Sequence, residues 1–272
     1  MKKLLLASAA ALLLSIAAPA FAADWPVRPA LPPQPVLVPV FTWSSCYAGI
    51  NLGGGWAHKD ITDPVQLVQD QLNLFGGLGL PPTSPVTTTR VSGSGYVFGG
   101  QFGCDYQPVG SNWVIGFEGA ASGGNIKGQT IVALPLGDPG DQALVFARLD
   151  FIPSGTVRVG YALDRLLFYV KAGAAAASDK YAVSGTFQAI TNPTVFNFQG
   201  LDLRYGWTAG GGVEWAFCED WSVKVEYDYY DFGRKSVLMS DSNLALSAPV
   251  DIKQTAQTVK LGLNFHMWSS RW

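Results

Sequence analysis

The chain has 272 residues and a formal net charge of −2, and only 14% of its residues are charged. Ordinary soluble domains carry about 25% charged residues, so this composition is unusual for a soluble protein. The mildly acidic balance and the lack of any run of basic residues argue against a nucleic-acid binder, and we expect no nucleic-acid partner.

The first 22 residues have the pattern of a secretory signal peptide, which is removed on export. Lys2 and Lys3 supply the positive charge, residues 4–18 the apolar core, and the letters AFA at 20–22 the cleavage site. We therefore expect the mature chain to begin at Ala23. No apolar run after residue 22 approaches the ~20 residues that a membrane helix needs.

Residues 23–42, ADWPVRPALPPQPVLVPVFT, are rich in proline and lack helical or strand periodicity. Such a composition is typical of an extended polyproline segment. We predict a periplasmic arm here, followed by a single domain over residues 43–272.

Eight stretches after the arm alternate between apolar and polar residues with the period of a β-strand. They are Tyr47–Trp56, Gly93–Tyr106, Asn112–Gly123, Arg148–Tyr161, Leu166–Ala177, Leu201–Phe217, Trp221–Phe232 and Gln254–Phe265. Short and long connections alternate between them, as in outer-membrane barrels with short periplasmic turns and long extracellular loops. The sequence thus predicts an all-β fold: an eight-stranded antiparallel transmembrane β-barrel in the cell outer membrane.

Aromatic residues recur where outward-facing strand ends would meet the two membrane interfaces, the depth that amphipathic rings favour. The predicted periplasmic girdle is Tyr106, Trp113, Tyr161, Phe168, Trp215 and Trp221, and the predicted outer girdle is Trp56, Tyr96, Phe151, Trp207 and Tyr229. Glycines that face inward, as in the first strand YAGINLGGGW, would make room for long side chains from neighbouring strands.

The same alternation places charged residues inside the predicted barrel. Away from the strand ends, the inward acids are Glu118, Glu214, Glu226 and Asp228, and the inward bases are Arg158, Lys171, Lys224 and Lys260. Eight strands enclose an interior just wide enough for side chains to fill, and unpaired charges there would be costly. We predict a salt-bridged plug, whereas an excess of one charge sign would favour an open pore.

The three cysteines lack the spacing of a metal site. Cys46 just before the first strand and Cys104 near the end of the second would meet, both facing outward, at the periplasmic end of the barrel. Because the periplasm is oxidising, we predict a Cys46–Cys104 disulfide. Cys218, in the last periplasmic turn, would stay free unless the strand registers differ.

The first long loop contains the segment DPVQLVQDQLNLFGG. Val65, Val68, Leu72 and Phe75 share one face of a short predicted helix within it. We interpret this face as packing on the barrel rim. The alternative is a contact surface for an extracellular partner or lipopolysaccharide.

Enzymatic activity is the rival class, because small barrels can carry lipid-modifying activity based on a nucleophile beside a base. The two histidines, His58 and His266, show no Ser-His-acid signature in the sequence. We predict no catalytic residue, no metal ligand and no cofactor. A histidine beside a serine and an acid at one rim of the barrel would favour an enzyme instead.

Several stretches resemble the porin-like outer-membrane β-barrel proteins of α-proteobacteria, surface antigens similar to the OmpA-like transmembrane domain. They are AADWPVRPALPP, WSSCYAGINLGGGW, GGQFGCDYQ, NWVIGFEG, GTVRVGYALDRLLFYVKAG, GWTAGGGVEWAF, WSVKVEYDYYDFG and TVKLGLNF. The resemblance implies eight antiparallel strands, an outer-membrane location and recognition by the barrel-insertion machinery. Family members usually end on an aromatic residue of the last strand. Here Phe265 has that place, but the chain continues to Trp272.

The function we expect is structural: a filled barrel that helps to stabilise the outer membrane and presents loops outside. The alternatives are a low-conductance porin for small solutes, and adhesion or ligand binding through the extracellular loops. Outer-membrane lipid and lipopolysaccharide are the expected partners, and the sequence leaves a homo-oligomer open.

Overall fold

The computed structural model describes residues 41–62, 88–133, 142–187, 194–241 and 246–267. The predicted signal peptide and all but the last two residues of the predicted arm lie outside these ranges. So do the predicted loop surface, Val65, Val68, Leu72 and Phe75, and the terminal residue Trp272.

The described residues form eight strands that pair in sequence order and close into one antiparallel barrel. The strands are β1 (Ser45–Thr62), β2 (Thr88–Tyr106), β3 (Trp113–Ala133), β4 (Gln142–Leu163), β5 (Leu166–Phe187), β6 (Thr194–Ala216), β7 (Trp221–Asp241) and β8 (Leu246–Met267). The ring closes between β1 and β8, where Tyr47 pairs with His266 and Ile61 with Ile252. This arrangement confirms the predicted fold class. Among the described residues, no helix is long and apolar enough to cross a membrane.

The strands extend further at their outer ends than the sequence pattern predicted. β3, for example, continues to Ala133 where the pattern indicated an end at Gly123, and β4, β5 and β7 are lengthened in the same way. Much of what the sequence assigned to long outer loops is therefore strand. In the outer parts of the strands the pattern reverses: polar residues such as Lys127 face outward, and buried apolar residues such as Val183 and Ile252 face inward.

Short turns join the strands at the opposite, periplasmic end, as predicted. They comprise residues 107–112, 164–165 and 217–220. Gly110 and Asp164 have φ angles of +75° and +55°, the left-handed conformation that tight turns use. These turns and the first residues before β1 form the floor of the barrel.

The outward face carries an apolar band between two rows of aromatic side chains. The periplasmic row is exposed and consists of the predicted residues Tyr106, Trp113, Tyr161, Phe168, Trp215 and Trp221. In the outer row Trp56, Tyr96, Phe151 and Trp207 are exposed, and the Tyr229 ring lies 5.6 Å from that of Trp207. Between the rows, no outward position of the described strands carries a charged side chain. Such a surface is suited to lipid.

The aromatic residue predicted to end the barrel, Phe265, lies in the periplasmic row. Its ring centroid is 5.1 Å from that of Trp221 on the neighbouring strand. Because Trp272 lies outside the described residues, the choice between these two as the terminal signal stays a prediction.

Polar and apolar layers alternate along the interior of the barrel. Every second inward residue of β5 shows this order from the periplasmic end: Leu167, Lys171, Ala175, Asp179 and Val183. Leu167, Ala175 and Val183 belong to three separate clusters of buried apolar side chains, which cross the interior at the bottom, the middle and the top. The two polar layers between these clusters are the candidate functional site.

Candidate functional site in the barrel interior

Glu118 lies at the centre of the lower polar layer. Lys171 Nζ is 2.9 Å from its Oε1, and Lys224 Nζ is 2.6 Å from its Oε2. The Tyr47 hydroxyl donates a third hydrogen bond to Oε2, at 2.8 Å. These partners come from β5, β7 and β1, none of which pairs with the strand of Glu118. The side chains therefore meet across the lumen.

Arg158 organises the part of the lower layer nearest the periplasm. Its guanidinium donates to Asp105, with Nε 2.6 Å from Oδ1, and to Glu214, with Nη1 3.1 Å from Oε2. The rings of Tyr47 and Tyr169 lie 4.7 and 5.0 Å from the guanidinium carbon. Only 1% of Arg158 is exposed. Arginine suits this role because its planar group holds two carboxylates and packs on aromatic faces at the same time.

A third group of ion pairs completes the lower layer. Glu226 Oε1 accepts from Lys171 at 2.7 Å and lies 3.3 Å from Lys260 Nζ. Lys260 in turn lies 2.7 Å from Asp228 Oδ2. Tyr169 donates to the other oxygen of Glu226 at 2.8 Å. Every lysine here contacts at least two carboxylates, which is how buried charges are compensated in a low-dielectric interior.

The structure brings all eight predicted interior charges into this one network, and it adds a ninth. Asp105, the partner of Arg158, is buried at the end of β2. The alternation that places Gln101 and Gly103 inward points to it as well, but its position at the strand end excluded it from the prediction. The described network thus holds five carboxylates against four cations, where the sequence indicated four against four.

A smaller charged cluster fills the upper polar layer, and the sequence prediction missed it. Lys59 Nζ lies 2.6 Å from Asp179 Oδ1, and Arg204 Nη2 lies 2.8 Å from Asp202 Oδ2. Lys235, which is half-exposed on β7, reaches the same Asp202 carboxylate, with Nζ 2.6 Å from Oδ1. Lys59 and Asp179 lie beyond the predicted strand ends. Continuing the alternation of β1 and β5 past those ends was the signal that would have found them.

Three inward glycines make room for the network, because an aromatic or acidic side chain lies against each of them. A Cβ atom added at Gly103 would collide with the Tyr47 hydroxyl, and one at Gly116 with the Asp105 carboxylate. At Gly212 it would come within 2.8 Å of the Tyr169 hydroxyl oxygen. The glycines of the candidate site therefore define where its aromatic and acidic side chains lie.

Trp43 covers the periplasmic floor of the lower layer. It is 1% exposed, its indole Nε1 donates to the Asp164 carbonyl at 3.0 Å, and its backbone N–H donates to Gln107 Oε1 at 2.9 Å. Phe41 packs edge-on against its ring, with centroids 5.3 Å apart. Both rings precede β1, so the end of the predicted arm folds under the barrel. At the other side of the network, the middle apolar cluster separates the two polar layers.

His266 lies between two serines beside Trp43. Ser45 Oγ is 2.9 Å from its Nδ1, Ser222 Oγ is 2.8 Å from its Nε2, and Glu214 Oε1 is 3.7 Å from the same Nε2. This histidine–serine–acid group at one rim is the feature that would favour an enzyme. However, Ser45 is 8% and His266 5% exposed, and the Trp43 ring lies 5.9 Å from the imidazole. The group is therefore enclosed among the described residues and largely shielded from solvent.

The cysteines are placed at the periplasmic end. Cys46 and Cys104 are direct partners in the β1–β2 ladder and form a disulfide on its outward face. Cys218, in the turn before β7, is half-buried and unpaired. In the described part of the chain no three His, Cys, Asp or Glu side chains are grouped so as to hold a metal ion.

His58 and the nearby ion pair between Arg90 and Asp60 lie outside the interior. His58 faces outward on β1, where its Nδ1 is 3.1 Å from Ser92 Oγ. Nearby, Arg90 Nε donates to Asp60 Oδ1 at 2.7 Å, and these hydrogen bonds lower the pKa of the Asp60 carboxyl group. This exposed pair belongs to the outer surface and not to the candidate site.

A closed ring of eight strands, an uncharged outward band and a polar interior define an integral outer-membrane β-barrel. Over 97% of the chain and 99% of the relative, the sequence is 28% identical to the 31 kDa outer-membrane immunogenic protein of Brucella melitensis. Over 97% and 98%, it is 25% identical to the 25 kDa outer-membrane immunogenic protein of Brucella abortus. The chain is an outer-membrane surface protein related to these α-proteobacterial barrels, which confirms the resemblance and the location predicted from the sequence.

Similar solved structures are more distant. The outer membrane protease OmpT of Escherichia coli is 12% identical, with a TM-score of 0.41, over 84% of this chain and 98% of that one. Ail, the attachment invasion locus protein of Yersinia pestis, is 10% identical, with a TM-score of 0.32, over 81% and 99%. No protein-family model matches the chain.

Proposed function

We propose that the protein is a structural component of the outer membrane whose filled interior does not conduct solutes. The observation that carries the proposal is the contact between opposite walls, with Lys224 Nζ 2.6 Å from Glu118 Oε2. Apolar clusters above and below the ion pairs add to the closure, since ions cross dry apolar layers poorly. The two immunogenic relatives carry no enzymatic name, which agrees with a non-catalytic role.

Planar-bilayer recording of the refolded mature protein tests whether the barrel is closed. We expect no single-channel steps from samples whose heat-dependent gel mobility shows a folded barrel. Heat-unfolded protein and detergent alone serve as controls for contaminating porins. Steady, reproducible steps that require folded protein would contradict the proposal.

The runner-up is a low-conductance porin, and one observation favours it. The lower layer holds five carboxylates against four cations, and such an imbalance attracts counter-ions into a pore. If the barrel conducts, the steps should therefore be selective for cations, and replacing Asp105 with asparagine should reduce that selectivity.

The structural role needs a test in cells, separate from conductance. We expect cells that lack the protein to be more sensitive to detergent and EDTA. Wild-type protein should restore resistance, and so should a variant in which residues 63–87 are replaced by a short glycine-serine linker. If only that variant failed to restore resistance although it still inserted in the membrane, the protective role would depend on residues 63–87. That result would favour adhesion or ligand binding.

A further inference from the structure

Three cations on adjacent strands face outward in one row. Lys127 on β3 pairs with Arg148 on β4, and Arg148 pairs with Lys180 on β5. Neighbouring strands are about 4.8 Å apart, so the three side chains emerge side by side. Arg148 is 36% and Lys180 56% exposed, and Lys127 is exposed as well. The row arises only from the strand registers, because its members lie far apart in the sequence.

A β-bulge adds one carboxylate to this row. Leu149 and Phe151 have ladder partners in β5, but Asp150 between them has none. The bulge turns Asp150 to the outer face, where it forms an ion pair with Arg148 and lies 3.3 Å from Lys180. Bulges commonly re-aim a side chain in this way.

One carboxylate leaves the cluster with a surplus of positive charge. Lys127 forms no ion pair with any described residue. The single carboxylate of Asp150 is shared between Arg148 and Lys180. Cations placed directly opposite each other on neighbouring strands are destabilising unless an anion lies between them. The cluster is therefore suited to bind an additional anion of more than one charge.

The position of the cluster indicates where that anion comes from. Phe151, the next residue after Asp150, is 44% exposed in the outer aromatic row, so the cations lie just above the apolar band. The row ends at Leu201, the ladder partner of Lys180, which is 78% exposed. The cationic side chains thus adjoin exposed apolar side chains. A lipid with an anionic headgroup has the matching arrangement, because its charged headgroup adjoins its acyl chains.

We propose that Lys127, Arg148 and Lys180 bind the phosphate groups of a phosphorylated glycolipid in the outer leaflet. Arg148 supplies planar, paired donors, and the two lysines supply point charges on either side of it. The aromatic ring of Phe151 and the exposed Leu201 side chain contact the acyl chains below the headgroup. The inference rests on the outer-membrane location and does not depend on whether the barrel conducts.

Lipid titration of the folded protein in detergent, followed by native mass spectrometry, tests the site. The probes are an acylated glucosamine disaccharide with two phosphates (lipid A), the same lipid without phosphates, and inorganic phosphate. The test variant is K127Q/K180Q. The matched control is R234Q/K253Q, which removes two other outward cations that face each other on β7 and β8. Heat-dependent gel mobility verifies that each variant is folded.

We expect K127Q/K180Q to weaken binding of the phosphorylated lipid about tenfold, because two charge-assisted contacts are lost. The control and the phosphate-free lipid should change less than twofold. Equal losses in both variants would overturn the proposal in favour of diffuse attraction to the whole surface. Displacement of the lipid by millimolar inorganic phosphate would identify a site for free anions instead, and an unchanged affinity in K127Q/K180Q would exclude the site.

Discussion

Glu118 and Lys224 come from opposite walls of the barrel and meet in its centre, with Lys224 Nζ 2.6 Å from Glu118 Oε2. β3 and β7 are separated by three strands in either direction around the ring. A contact between them is possible only because two long side chains reach across the lumen while glycines on the intervening strands leave room. This ion pair is the observation that carries our proposal of a filled interior that does not conduct solutes.

We expect Glu118→Gln to lower the free energy of unfolding by about 3 kcal/mol, because it removes the buried carboxylate that Lys171 and Lys224 share. Glu118 accepts hydrogen bonds from Lys171, Lys224 and Tyr47, so no single neighbour can compensate for its charge. Denaturant titration of protein folded in lipid vesicles measures the effect. The control is Glu219→Gln, an exposed position in the last periplasmic turn, where we expect less than about 0.5 kcal/mol. Equal effects at the two positions would contradict a central role for Glu118.

Trp43 should stabilise the barrel mainly by packing beneath it. Trp43→Ala is expected to cost about 3–5 kcal/mol, the usual range for truncating a buried tryptophan. Trp43→Phe keeps most of the ring and loses only the hydrogen bond to the Asp164 carbonyl, so we expect about 1 kcal/mol. The same unfolding measurement compares the two. A Trp43→Ala protein as stable as wild type would show that the floor of the barrel does not need this side chain.

Gly173 and Gly155 form a matched pair for testing whether inward glycines allow neighbouring strands to approach closely. A Cβ at Gly173 would collide with the Gly155 carbonyl oxygen, whereas a Cβ at Gly155 on the outer face meets nothing within 4 Å. We expect Gly173→Ala to destabilise by about 1–3 kcal/mol, as overpacking does, and to reduce the yield of heat-modifiable barrel on refolding. Gly155→Ala should fold with wild-type yield. A higher refolding yield for Gly173→Ala than for Gly155→Ala would refute the idea that the inward position needs a glycine.

Thiol counting checks the arrangement of the cysteines. The denatured, unreduced protein should show one free thiol, from Cys218, and the reduced protein three. Replacing Cys46 and Cys104 with alanine should lower stability by about 2–4 kcal/mol, since the bond constrains the unfolded chain. Cys218→Ser is the control and should leave stability unchanged. Three free thiols before reduction would rule out the bond.

The sequence by itself determined the strands and the direction in which most of their side chains point. Alternation with a period of two is a local property, so Trp221 and Lys224 can be assigned to opposite faces without knowledge of any partner. The short turns, the lipid-facing aromatic rows and the eight interior charges could be predicted for the same reason. At strand ends the local pattern weakens, and Asp105, Lys59 and Asp179 were missed there.

Only the tertiary structure decided which side chains meet. The pairing of Glu118 with Lys224, the enclosure of His266 and the row of Lys127, Arg148 and Lys180 depend on strand registers, on a bulge and on the closure of the ring. Registers are set by the sum of many weak cross-strand contacts, and no short segment of sequence contains that sum. The alternation fixes the face on which each charge lies, and the closed barrel fixes its neighbours.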